Sequence, residues 1–464
     1  MFRATRPAGW RGHAETHMVT IDAYSLDDAT WRRGRLRFLD PRFYLALAAS
    51  RSAHVRLLVT GARRRKRWLY ERLTVRKGLN LALTGAAFVL KRERSYALPP
   101  ILKIDISPLC NLRCTVCVHA EPNGDPALAR QRFDPTHKMT VEQFRRIVEE
   151  VRGRTAALSL YYVGDPLVHP DLDAMCSIAR DAGLNVHIST NFSFTLDDAR
   201  LRRMVQSGLT HLSVCVDGLS QAQYERTRVG GRIDVVLSNL QRLIRFRNEE
   251  RRVHPRVEVQ YIKFQHNLDE MEQARRLFRE IGVDQLTDFW GDLGNYTETD
   301  PEYAEVLGPR KKSGVPLCHW PHSSMVIKYN GDVIPCCSFR IGHQYSTSAD
   351  ARALGNVFAT GVAEVWNNGR FRQARRLAGD PTRVERDPAL RDHFCYACPA
   401  LFEVTRIPGA TSANNVTWEE RYERGPGGRP VAKRRSENGW KAGPPAEAPA
   451  APAGPIVPGP VARD

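Results

Sequence analysis

The chain has 464 residues, 42% of them hydrophobic, and a formal net charge of +18. It is longer than one ordinary core needs, so two or three structural units are expected. No run of 18 or more apolar residues occurs, and the opening MFRATRPAGW lacks the apolar core of a secretory signal, so a cytoplasmic protein is expected.

The charge is uneven. Residues 1–98 hold 21 Lys and Arg against seven Asp and Glu, so the excess belongs to this segment. It reads as a mostly helical basic extension, broken by the run RRRKR at 63–67. Such a segment suits phosphates, an acidic partner or an anionic membrane face. Leu98-Pro99-Pro100 then forces an extended entry into the next segment.

From residue 101 strands and helices alternate. Strands are expected over 101–107, 158–163, 185–190, 211–216, 257–264 and 285–289. Helices are expected over 141–151, 170–182, 196–207, 233–248 and 268–281. Thr140 with Gln143 three residues on is a capping-box pattern for the first of these. Repeated βα units imply parallel strands joined by right-handed crossovers, with chemistry at the strand ends. A polar linker comes next, at 291–316. A cysteine-rich unit then spans 317–424, and a Pro/Gly/Ala-rich tail over 425–464 is expected to be disordered.

Ten cysteines are present, and eight fall in tight groups. Grouped cysteines in a large chain without a signal argue for metal or redox chemistry rather than disulfides. Cys110, Cys114 and Cys117 come after the first strand with the spacing C-x3-C-x2-C. Three sulfurs on one loop can hold three irons of a cube, leaving the fourth open to a small molecule. The spacing alone equally permits zinc, with His119 nearby. Cys318, Cys336, Cys337, Cys395 and Cys398 form the second group. The Asn330-Gly331 turn between two short strands is a hairpin signal that brings Cys318 and Cys336 together.

The segment CNLRCTVC, placed after a strand and before βα repeats, resembles the radical SAM enzymes. The resemblance spans about residues 101–290 and implies a partial (β/α)6 TIM-like barrel in the α/β class, with a small C-terminal cysteine-rich auxiliary domain. It implies a [4Fe–4S] cluster on Cys110, Cys114 and Cys117 that binds S-adenosylmethionine (SAM). YVGDPLVHPDL matches the family's glycine-rich turn after the second strand. Gly164, Asp165 and Pro166 carry it, with Asp165 for the usual Glu and Val163 for the first Gly. ISTNFSF resembles the S-T-N-G segment, placing Asn191 toward SAM, with Phe192 where Gly is common. LSVCVDG resembles the fourth-strand pattern and contributes Ser213. Arg228 matches the arginine that contacts the SAM carboxylate, a task suited to its planar fork. Val116 stands where the family commonly has an aromatic residue.

The second cysteine group, with GNVFATGVAEVWNNGRFRQARR, resembles the auxiliary-cluster domain called SPASM, or twitch in its shorter form. Setting aside the SAM-cluster ligands, Cys176 and Cys215 leaves five cysteines, enough for one further [4Fe–4S] cluster. Cys318, Cys336, Cys395 and Cys398 are its expected ligands, with Cys337 as alternate. A structural zinc ribbon has similar ligands.

The resemblance implies reductive cleavage of SAM to a 5′-deoxyadenosyl radical. That radical would abstract hydrogen from a small molecule: a sugar, a cyclitol or a lipid-linked precursor. A low-potential donor such as flavodoxin or ferredoxin would supply the electron. A peptide- or protein-modifying enzyme is the alternative, although residues 1–98 lack a strand–helix peptide-recognition pattern. A nucleic-acid-binding protein with structural metal sites is the reading from a different class. It rests on charge alone, since no recognised binding module is present.

Overall fold

The structure, a computed structural model, describes residues 71–114, 117, 119, 135–290, 304–336 and 353–406, with the backbone of 421–424, 430–436 and 439–442. Residues 1–70, the run at 63–67, Val116 and Cys337 lie outside the described residues.

Helix α1 (Val75–Val89) precedes the barrel. Six strands then alternate with helices: β1 (Ile101–Ile104), β2 (Ala157–Ser159), β3 (Asn185–Thr190), β4 (His211–Val216), β5 (Arg256–Lys263) and β6 (Gln285–Trp290). The intervening helices are α2 (Val141–Val151), α3 (Leu172–Asp181), α4 (Asp198–Gln206), α5 (Gln221–Glu225), α6 (Ile233–Glu249) and α7 (Met271–Ile281). All β1–β6 pairings are parallel, in sequence order. This is the arc of a partial TIM-like barrel.

Local sequence explains the elements. Thr140 and Gln143 close the capping box on α2, which buries Phe144, Ile147, Val148 and Val151 against the sheet. Each such burial is worth roughly 1.5–3 kcal/mol. The strands are two-faced. Val186, Ile188, Leu212, Val214, Val257 and Val259 are fully buried under the helices. The opposite face carries Ser159, His187, Ser213, Glu258 and Thr287, which hydrogen-bond to one another across five strands.

Three features depart from the sequence reading. First, β8 (Ser324–Ile327) pairs parallel with β1, and β9 (Val333–Ile334) pairs antiparallel with β8. The expected C-terminal hairpin therefore extends the barrel sheet, covering an edge of β1 that would otherwise be unpaired. Second, the expected linker contains β7 (Ala304–Pro309), paired antiparallel with β10 (Phe402–Arg406). Third, the expected disordered tail contributes to a three-stranded antiparallel sheet of β11 (Arg421–Arg424), β12 (Pro430–Ser436) and β13 (Gly439–Ala442). The sequence Asn438-Gly439 at the junction of β12 and β13 is a turn signal that composition alone did not weigh.

The C-terminal unit adds the short helices α8 (Trp320–Ser323), α9 (Val357–Thr360) and α10 (Val362–Asn367), and the longer α11 (Gly369–Gly379). It is stapled to the barrel entrance. Trp366 Nε1 donates to Ala97 O at 2.8 Å, and Asn367 exchanges two hydrogen bonds with the Ser95 backbone. Arg375, 2% exposed, donates to the carbonyls of Pro321, Glu93 and Trp366.

Candidate active site at the cysteine loop

The loop after β1 is held by close backbone packing. Asp165 N donates to Leu109 O at 2.8 Å, and a Cβ on Gly164 would lie 2.1 Å from Ser107 O and 2.4 Å from Leu109 O. Only glycine permits that approach. Ser107 Oγ donates to His137 O, and Arg113 N donates to Val229 O. Cys117 N closes the loop on Cys114 O at 2.9 Å.

Asp165, 4% exposed, is a clasp between two strand ends. Its carboxylate accepts from Leu167 N, Thr190 Oγ1 and Asn191 N at 2.8–3.0 Å. Burial pushes its pKa up to about 6 against those hydrogen bonds. Pro166 opens the short 3-10 turn Pro166–Val168 beyond it. Asn191 Nδ2 donates to Asn111 Oδ1 at 2.9 Å and stands 3.8 Å from Cys110 Sγ. Phe192 adopts φ +58°, in the left-handed region, which explains why glycine is common there in the resembling sequences. Its fully buried ring holds the strained backbone in place.

Asp217 receives Arg228 in a fork: Nε at 2.7 Å and Nη2 at 3.1 Å. Thr227 Oγ1 adds a third bond at 3.0 Å, and Asn267 Nδ2 donates to the Asp217 carbonyl. The remaining guanidinium nitrogen, Nη1, lies 3.9 Å from Cys114 Sγ. Burial opposes the charge on Arg228, but Asp217, Cys114 and Cys215 outweigh it, so its pKa is raised well above the usual range.

Cys110, Cys114, Asn191 and Arg228 are thus brought together, with Gly164 and Asp165 behind them. Ser213 is not part of this group. It is fully buried, donates to Glu258 Oε2 at 2.7 Å and sits 2.9 Å from His187 Nε2. The reason is register: Ser213 lies two positions deeper along β4 than Cys215, beside Glu258 on β5. His119 Nε2 lies 3.3 Å from Val163 O, tying it to the β2 turn.

The donor set fits an iron–sulfur cube. Burial pushes the Cys110 thiol well above its ordinary pKa, with Asp165 and the other two cysteines adding to the shift. Burial likewise pushes Cys114 up to about 12, against the pull of Arg228. Metal coordination deprotonates thiols outright, so a cluster would overcome this cost of burial. N–H groups of Leu112, Asn191 and Arg228 lie 3.5–3.9 Å from the Cys110 and Cys114 sulfurs, the kind of contact that tunes a cluster. Among the described residues no three His, Cys, Asp or Glu side chains converge as around a single metal ion.

In the C-terminal unit, Cys318 and Cys398 are neighbours: burial and then the Cys398 charge push Cys318 up to about 12. Cys336 comes just after β9 and is buried, and buried Cys395 receives a local brace from its N–H to His393 Nδ1 at 3.1 Å.

Two family profiles match this chain. The Radical SAM superfamily matches residues 104–277, and SPASM, an iron–sulfur cluster-binding domain, matches 318–399. Together they cover more than half of it. The chain belongs to the radical SAM superfamily and carries a C-terminal SPASM domain.

This radical SAM protein is 22% identical over 186 residues to an AdoMet-dependent heme synthase of Methanosarcina barkeri, covering 40% of this chain and 48% of that protein. It is 31% identical over 128 residues to a GTP 3′,8-cyclase of Stenotrophomonas maltophilia, covering 27% and 36%. Among solved structures, Streptococcus suis SuiB bound to its precursor peptide SuiA aligns with a TM-score of 0.46 at 14% identity, covering 64% of this chain and 71% of that one. The chain spans about half or less of the length of these curated relatives. The two domains imply a SAM-binding [4Fe–4S] cluster and an auxiliary cluster.

Sequence reasoning passed over Asn111 and the polar inner wall. The signal was available: polar residues alternate in NVHIST, HLSVCV and RVEVQYIK, as expected of strands with one apolar and one polar face.

Proposed function

We propose that this protein reductively cleaves SAM and uses the resulting radical on a polar small molecule held against the inner wall of the barrel. The observation that carries the reading is the half-buried, disulfide-free thiols of one loop, with Asn191 and Arg228 brought up to them from two other strand ends. Cys110, Cys114 and Cys117 would hold the SAM-binding cluster, and Cys318, Cys336, Cys395 and Cys398 the auxiliary one. Bound there, the cluster would supply the electron for reductive cleavage of a C–S bond of SAM, the source of the 5′-deoxyadenosyl radical and methionine.

The chain's own residues do the rest. Asp217 holds Arg228 rigid, so the remaining Nη1 edge faces the cluster loop beside Cys114, where it would meet the SAM carboxylate. Asp165 spends its carboxylate on Thr190 and Asn191, so the turn would offer SAM its backbone rather than that side chain. Gly164 lets the same turn close on the cysteines.

The inner wall supports a small, hydrogen-bonding substrate. Above the layer of His187, Ser213 and Glu258 lies a second layer of Ser189, Cys215 and Gln260, linked at 3.6 and 3.8 Å. Burial pushes the Glu258 carboxyl up, but hydrogen bonds from His211, Thr287 and Ser213 hold it below its ordinary range. Lys103 Nζ sits 4.1 Å over the Tyr161 ring nearby. A sugar, cyclitol or lipid-linked precursor has the hydroxyls such a wall can pair with. Peptide modification is the second reading. A flavodoxin or ferredoxin would deliver the electron.

The test is anaerobic incubation of reconstituted protein with dithionite and SAM. Formation of 5′-deoxyadenosine by the wild type and its loss in Cys114→Ala are expected. No product above that control refutes the proposal.

A further inference from the structure

Helix α1 is built inside out. The side it turns to the protein is polar: Lys77, Asn80, Thr84 and Ala87 are its buried residues. Lys77 Nζ donates to the carbonyls of Arg72 and Gly183, Asn80 exchanges two hydrogen bonds with the Leu98 backbone, and Thr84 Oγ1 donates to Asn80 O. The side it turns outward is apolar. Val75 is 93% exposed, Leu79 61% and Leu83 40%, at a spacing of four that keeps them on one stripe, with Leu90 a further seven residues on. Two exposed leucines and a valine in line are not explained by packing within the described residues.

The flanks indicate what covers this stripe. Residues 78–90 carry no charge, whereas residues 51–98 contain 13 Lys and Arg against two Glu. The basic residues lie on both sides: Arg63, Arg64, Arg65, Lys66 and Arg67 before in the sequence, then exposed Arg76, and exposed Arg92 and Arg94 after, whereas Arg72 donates to Leu184 O and Lys91 to Ser313 O and Gly379 O. Aromatic residues stand at both ends too, with Trp68 and Tyr70 before the helix and Tyr96, 80% exposed, after it. A helix uncharged from residue 78 onward, with an outward apolar stripe between cationic and aromatic flanks, matches the chemistry of an anionic lipid interface. Apolar side chains enter the acyl boundary, rings sit at headgroup level and cations meet the lipid charge. No helix among the described residues is long and apolar enough to cross a membrane, so the contact is peripheral.

We propose that α1 lies in the surface of an anionic membrane through Val75, Leu79, Leu83 and Leu90, with exposed Arg76, Arg92 and Arg94 meeting the headgroups. The inference stands apart from the radical chemistry, since it uses no residue of the cysteine sites.

Vesicle flotation of the full chain tests it. Vesicles of phosphatidylcholine with about a third phosphatidylglycerol should carry the protein up the gradient. Pure phosphatidylcholine vesicles should bind it at least about tenfold more weakly, as loss of the surface-charge contribution requires. Leu79→Glu/Leu83→Glu should weaken binding to the anionic vesicles by at least about tenfold, because two leucines no longer enter the interface. Its circular dichroism and melting temperature without lipid should match the wild type. Three results overturn the proposal. The wild type does not float with anionic vesicles. The double variant floats as well as the wild type, so charge alone holds the protein. Or, without lipid, the double variant melts several degrees lower or changes from dimer to monomer in sedimentation, so residues 1–70 or a second copy cover the stripe.

Discussion

Replacing Asp217 by Asn isolates the electrostatics that hold the cluster loop. Asp217 is 2% exposed and Arg228 15%, so little water is available to either group. Asp217→Asn keeps the shape but removes the negative charge, leaving the Arg228 guanidinium buried beside Cys114. Two charge-assisted hydrogen bonds, at 2.7 and 3.1 Å, lose their ionic partner. Each such bond contributes about 1.5–3 kcal/mol, and removing one partner of a buried pair costs about 3–5 kcal/mol in all. Asn still accepts one bond, so about 3 kcal/mol is expected. For a domain of this size that lowers the melting temperature of the metal-free, reduced protein by roughly 6–12 °C. Differential scanning fluorimetry under argon reads this directly. A double-mutant cycle with Arg228→Met completes the test. Asp217→Asn/Arg228→Met should recover part of the loss, since no unpaired buried charge remains, giving a coupling energy of about 2 kcal/mol. If Asp217→Asn melts within a degree of the wild type, or the two substitutions add without coupling, the buried pair does not hold the loop.

Iron analysis should find about eight irons per reconstituted chain. Cys110→Ala/Cys117→Ala should lower this to about four, and Cys318→Ala/Cys398→Ala should lower it to about four by removing the other half. Phe192→Gly relieves about 1 kcal/mol of left-handed strain but gives up a buried ring worth about 3–5 kcal/mol. A net loss of about 2–4 kcal/mol is therefore expected in urea unfolding, and a gain in stability would show that strain dominates. Burial, then nearby Arg375 and His319, holds His322 down to about 3, far below its ordinary pKa. Between about pH 6.5 and 3 the unfolded chain therefore binds the proton that folded His322 refuses. Stability should fall with decreasing pH across that window, by up to about 1.4 kcal/mol per unit from this group, and be fully present above it. His322→Phe should flatten the slope in urea titrations between pH 4 and 6.5.

Much of the barrel was legible in the chain because its signals are local. The capping box at Thr140 and Gln143, the apolar strand at 211–216 and the helix from Ile233 depend only on neighbours in sequence, and α2, β3 and β4 have the expected boundaries. The C-x3-C-x2-C spacing and its place after a strand likewise needed no coordinates. Strand ends were less legible. Residues 105–107 and 160–163 have strand-like composition, but the chain leaves the sheet there to pack the cysteine loop against Gly164. A close approach between two distant loops has no local signature.

What the sequence determined by itself is the chemistry available: which sulfurs are grouped, which turn carries Gly164, and which strands alternate polar and apolar. What only the tertiary structure decided is the partner of each polar group. Ser213 belongs to Glu258 and His187 rather than to the cysteine loop, and Asp165 to Thr190 and Asn191. Arg228 is fixed by Asp217, and β8 joins β1 from more than 200 residues away. The orientation of α1 is of the same kind. Its composition is that of an ordinary amphipathic helix, and only packing shows the polar face turned inward. Pairings across long sequence separations are settled by the register of the sheet and by the need to satisfy every buried donor and acceptor, which are properties of the whole fold.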